Sequence, residues 1–106
     1  MSDDKNGSVQ PEQKLVLRPV VGLTENLPKD ELEQIVVQAI KAHRRLRDLA
    51  EVRQDEWHAI EAHAAATGTE PSRIAYVTAM IDMHAQQTVL STLLDVLGYI
   101  PSVPGD

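Results

Sequence analysis

The amino-acid sequence predicts an all-α protein: a long antiparallel two-helix hairpin that dimerises into a four-helix bundle, preceded by an extended N-terminal arm. Three observations carry that expectation. Leu32, Val36, Ala39, His43, Leu46, Ala50, Arg53, Trp57, Ile60, Ala64 and Thr67 follow one another in alternating steps of four and three, the spacing of a helix seam. Gly68 interrupts that seam, and Thr69, Pro71 and Ser72 restart a helix almost at once, which folds the second helix back on the first. Aromatic residues make up only 3 % and Phe is absent, so the core is aliphatic, a composition suited to helix packing.

Taken in chain order, residues Met1 to Lys14 are polar, with Val9 as their only apolar residue beyond the initiator, and are expected to be disordered. They show no apolar run of the kind a signal peptide or an anchor carries. Residues 15–106 form a single helical domain. It opens on an arm over about 15–26, in which β-branched residues crowd around Pro19 and Gly22 without a helical period. Leu15, Val16, Leu17, Val20, Val21 and Leu23 are too apolar to be left in water, so the arm must lie on something.

The first long helix is expected from about Pro28 to about Thr67, started by Thr24 and Asn26 ahead of Pro28 and by Asp30, Glu31 and Glu33 at the positive end of its dipole. The second runs from about Pro71 to about Leu97 and is stopped by Gly98 and Pro101, with a short tail after it. Arg73, Asp82 and Asp95 are its only charges. Ile74, Val77, Ile81, Ala85, Val89 and Leu93 form one apolar row, while Ala79, Met80, Met83, Leu90, Leu94 and Leu97 cover other angles. A helix with one neighbour hides one stripe. A second copy of the chain is the simplest cover for the rest, and Ile81, Val89, Leu90, Leu93, Leu94 and Leu97 are the expected dimer or core residues.

Composition removes several function classes. Without Cys there is no disulfide framework, thiol nucleophile or thiolate zinc site, and a reducing cytoplasm is the expected compartment. No apolar run reaches the ~20 residues a bilayer requires. His58 and His63 are five apart and cannot share a metal as an i,i+4 pair would. Glu51, Asp55, His58 and Glu61 share a helix side but read as solvated surface rather than a cation site. Neither Ser72 nor Ser91 has the context of a nucleophile, and no glycine cluster cradles phosphate. We expect no catalytic residue, metal, cofactor or small-molecule substrate. Lys41, Arg44, Arg45 and Arg47 could form a nucleic-acid patch. Against that, Arg44 with Asp48 and Arg47 with Glu51 are i,i+4 pairs, and the net charge of −6 repels phosphate.

LRPVVGL at Leu17–Leu23, LPKDELE at Leu27–Glu33, AHRRL at Ala42–Leu46, IDMHAQ at Ile81–Gln86 and LGYIP at Leu97–Pro101 together resemble the TraM family of quorum-sensing antiactivators. They fall in the same order along most of the chain, with the tail before Lys14 and the stretch from Val52 to Ser72 outside them. The resemblance implies a small cytoplasmic helical dimer that binds a LuxR-type activator, TraR-like, through its C-terminal DNA-binding domain, and so silences plasmid conjugal-transfer genes. It also implies that Leu23, Leu32 and Tyr76 matter for inhibition. With the arm residues Leu17, Arg18 and Pro19, and Leu27 at the start of the first long helix, these make up the expected partner-binding set. Two other readings stand beside it: a direct DNA-binding repressor using Lys41 to Arg47, and a non-regulatory helical scaffold.

Overall fold

A computed structural model describes residues 15–63 and 70–105. The expected disordered tail over 1–14, the end of the first long helix and the turn at Gly68 lie outside the described residues. Among those described there are three helices and no strand: α1, Arg18–Thr24; α2, Lys29–His63; and α3, Glu70–Leu97.

The expected extended arm is a correction. Arg18–Thr24 is helical for 7 residues, with Pro19 in its first turn, where its fixed φ suits a helix and its missing N–H is not needed. The Leu17 carbonyl accepts the first two bonds, from Val20 N–H at 3.0 Å and Val21 N–H at 3.1 Å. Val20 and Thr24, four apart, form the inner face: Val20 packs on the core and Thr24 is buried. The propensity penalty of Val and Thr, below about 0.7 kcal/mol each, is smaller than the ~1.5–3 kcal/mol gained by burying an apolar side chain. Thr24 does not cap the next helix either, since its hydroxyl donates back to the Val20 carbonyl at 2.7 Å. The first bonds of α2 go to the Pro28 carbonyl instead.

The 35 residues of α2 extend about 52 Å at 1.5 Å per residue. Its seam follows the spacing as far as Trp57: Leu32, Val36, Ala39 and Ala50 are buried, and His43, Leu46, Arg53 and Trp57 are half-buried, whereas Ile60 is exposed and Ala64 and Thr67 lie outside the described residues. The opposing helix runs the other way. Lys29 Nζ donates to the Leu97 carbonyl at 3.3 Å, Gln86 Nε2 to the Ala39 carbonyl at 3.5 Å, and the Trp57 ring stacks on Tyr76. Gly98 ends α3 with φ +92°, and its N–H closes on the Leu94 carbonyl at 2.8 Å. A side chain there would be strained by the backbone alone.

The core is concentrated at one end. Leu32, Val36, Ala39, Leu93 and Leu97 are buried together, with Val20, Leu27, Ile40, Val89, Leu90, Leu94 and Val96 packed around them. Toward the far end Ala50 and Ala79 are the only buried residues among those described. Of the apolar row on α3, Leu93 is core, but Ile74, Val77 and Ile81 face outward; Ile81 takes no part in the chain's own core. Among the described residues no helix is long and apolar enough to cross a membrane.

Leu97→Ala, at a site 1 % exposed, is expected to cost about 2–5 kcal/mol through lost contacts and the cavity left behind. Ile81→Ala, at 62 % exposure, should cost the isolated chain about 0.5 kcal/mol or less. Chemical denaturation of the two variants at equal concentration compares them directly.

Candidate partner-binding surface

The arm is fixed to the helix pair by one polar anchor. Leu17 N–H donates to Thr92 Oγ1 at 3.2 Å, and that hydroxyl donates in turn to the Thr88 carbonyl at 3.0 Å. Thr92 is fully buried, so the bond is shielded from water at its helix end. α1 thus lies across the C-terminal half of α3. Its outer face carries Arg18, Pro19 and Leu23, all exposed, and Leu23 reaches 78 %. Leu17 and Leu27 are half-buried beside it.

Of the expected partner-binding residues, the structure therefore gathers Leu17, Arg18, Pro19, Leu23 and Leu27 at the open end of the helix pair. Leu32 lies beneath them at 4 % exposure, in the core, where it supports the surface without lining it. Tyr76 is elsewhere. From residue 76 to residue 92, which holds the arm, is about 24 Å along α3, so one chain does not bring Tyr76 to the arm. Its ring stacks on Trp57 with centroids 5.3 Å apart and planes at 25°.

Three features had no clear signal in the sequence. One is a shallow groove of about 540 Å³ along α3, lined by Tyr76, Val77, Met80, Ile81, His84, Ala85 and Thr88. Another is a groove of about 560 Å³ bounded by His43, Leu90, Leu94, Tyr99 and Ile100. Ile100 beside it is 76 % exposed, and His43 Nε2 is buried with no partner among the described residues. The third is the path of the tail. Tyr99 OH donates to Glu33 Oε2 at 2.8 Å, and the Lys29 ammonium sits 5.7 Å from the Tyr99 ring centroid. Acceptance by the Glu33 carboxylate holds the Tyr99 hydroxyl's pKa above its ordinary value. Farther along, Pro101 is buried, and Arg44 donates to the carbonyls of Val103 at 3.0 Å and Pro104 at 2.7 Å. The apolar residues after the Gly98 stop were the only hint that the tail folds back.

The tail also changes the reading of the basic cluster. Arg44 grips the tail rather than Asp48, and Asp48 pairs with Arg47 at 3.3 Å, replacing both expected i,i+4 pairs. Arg53 pairs with Glu56 at 2.9 Å. Among the described residues no group of three or more His, Asp and Glu is placed to hold a metal ion.

Comparison with known proteins agrees with the motif reading. Residues 1–102 match the family described as Prokaryotic Transcriptional repressor TraM. The transcriptional repressor TraM of Agrobacterium fabrum is 42 % identical over 93 residues, covering 85 % of this chain and 87 % of its own. That of Rhizobium radiobacter is 44 % identical over 94 residues, covering 86 % and 88 %.

Thr92→Val keeps the shape of the anchor but leaves the Leu17 amide without its acceptor, a loss of about 1–3 kcal/mol where the group stays buried. Amide exchange over residues 17–24 is expected to speed up while that over 86–97 is little changed. Uniform acceleration of both would mean that Thr92 serves the core and not the arm.

Proposed function

The chain belongs to the TraM family of prokaryotic transcriptional repressors, and from that membership we propose that it represses as an antiactivator. It acts in the cytoplasm as a homodimer, binding a LuxR-type, TraR-like activator at its C-terminal DNA-binding domain and keeping that domain off its operator. Conjugal-transfer genes are the regulated target. The observation that carries this reading is the apolar surface the fold leaves uncovered, headed by Leu23 at 78 % exposure on α1 and by Ile74, Val77 and Ile81 on α3. Exposed apolar patches of this kind mark protein contact sites.

Two patches suit two partners. The row Ile74, Val77, Ile81 and Ala85 is straight, nearly free of charge, and fits a second copy of the same helix. Leu17, Arg18, Pro19 and Leu23 on the arm fit the activator. Tyr76 joins them if the far end of one chain approaches the arm of the other, so the grip is composite. The net charge of −6 speeds encounter with a basic DNA-binding domain. A repressor that touches DNA itself is less well supported, because Arg44 and Arg47 already hold partners within the chain.

Titration into a preformed activator–operator complex should release the DNA, while the chain alone should shift no operator at any salt concentration. Direct operator binding with a steep salt slope would favour the DNA-binding reading. Leu23→Ala should lose activator binding with its melting temperature retained; a parallel fall in both makes the arm a cap on the core instead. Ile81→Asp should split the dimer in sedimentation, since an unpaired buried charge costs several kcal/mol. A well-folded wild-type monomer at micromolar concentration excludes the dimer.

A further inference from the structure

We infer that Trp57 is a positioning residue of the partner surface: by stacking on Tyr76 it fixes where that ring is presented. The inference rests on the reading of Tyr76 as a partner contact and extends it to a residue on the opposite helix.

The far half of the helix pair contains little that is buried. Ala50 and Ala79 are the only buried apolar side chains there among the described residues, and small residues bring helix backbones close without specifying much else. Beyond them the two largest side chains of the region meet, Trp57 from α2 and Tyr76 from α3, at a centroid separation of 5.3 Å and an interplanar angle of 25°. That separation lies in the favourable range for offset aromatic stacking. His58 adds a tilted ring contact to Trp57, also at 5.3 Å. Both Trp57 and Tyr76 are half-buried, and Tyr76 borders the apolar groove with Val77, Met80 and Ile81.

A seam position whose only task is packing is served by an aliphatic side chain, as at the buried positions Leu32, Val36, Ala39 and Ala50. Trp at that position buries an indole Nε1–H with no acceptor among the described residues, and buried donors are ordinarily satisfied. What an aliphatic residue cannot supply is a flat face against the Tyr76 ring. The stack restricts the ring before any partner arrives, and a pre-set contact residue loses less freedom on binding. Trp57 thus acts through Tyr76, with its own ring beneath the contact and not in it.

The test is a double-mutant cycle on the full-length protein with a purified TraR-like activator, read as Kd, with thermal melting recorded for each variant. Trp57→Leu is expected to weaken binding about tenfold, on the scale of a lost aromatic pair. Trp57→Phe, which retains a stacking face, should bind within about threefold of wild type. In a Tyr76→Ala background Trp57→Leu should have no further effect, because the ring it positions is gone. Equal binding by wild type and Trp57→Leu, or a full additional loss in the Tyr76→Ala background, overturns the inference alone. If Trp57→Leu melts too low to assay, Trp57→Met, which fills the seam without a ring face, takes its place in the cycle under the same criteria. A wild-type chain that binds no activator overturns the antiactivator reading, and this inference with it.

Discussion

Two helices in contact share one seam, and each can hide one stripe of its surface there. Everything else in this structure follows from the fact that α3 has more apolar surface than one stripe. α2 can be covered on one side only, because its outer face is charged and content in water. α3 cannot: its apolar residues run around most of the cylinder, and the seam with α2 takes just Ala79, Leu93 and Leu97 out of solvent. One further flank is covered by α1, through Val20 and the Leu17–Thr92 bond. The flank bearing Ile74, Val77 and Ile81 is left open.

Coverage is also uneven along the length. At the end where α1 and the tail converge, five buried aliphatic residues are ringed by half-buried ones, polar ties from Glu33, Arg44 and Thr92 fix the arm and tail to the helices, and Lys29 joins α2 to the last carbonyl of α3. At the other end, among the described residues, a pair of buried alanines and one aromatic stack join the helices. Local stability tracks buried apolar contact, so the end that carries the arm is rigid and the end that carries Tyr76 is the softer one. A binding surface distributed over both ends uses a firm platform at one and a ring held by a single stacking contact at the other.

How much of this was legible in the sequence depends on the length of each repeat. The seam of α2 was readable because eleven positions spread over ten turns leave a period that composition cannot imitate, and four of its expected members are buried. Gly98 was readable because a positive φ selects glycine whatever surrounds it. α1 was not, since 7 residues give two inward positions, Val20 and Thr24, and two points define no period. The inner face of α3 was also hidden. Ile74, Val77, Ile81 and Leu93 obey a seam's spacing as well as the true core residues do, and hydropathy does not distinguish the face for a sister helix from the face for a partner. The tail's course was fixed by a guanidinium reaching two carbonyls, a contact between residues about sixty positions apart that no local pattern encodes. The candidate partner-binding set came through the motifs, and the structure divides it into exposed residues on the arm, one core support in Leu32, and Tyr76 on a distant stack.

If the chain acts by occupying an activator's DNA-binding domain, the two competing complexes depend on different forces. An activator on DNA is held largely by phosphate contacts, and its affinity falls steeply as salt rises through counterion release. The grip offered here is apolar at its centre, with Leu23 and its neighbours, and apolar burial is not weakened by moderate salt. The chain's net charge of −6 acts mainly on the rate of encounter, which salt reduces by screening, whereas dissociation is governed by the buried contacts. Raising ionic strength therefore slows capture of the activator somewhat but weakens the DNA complex far more. At equilibrium the balance moves toward the captured state, so an acidic protein with an apolar grip competes best under the conditions in which its target holds DNA least well.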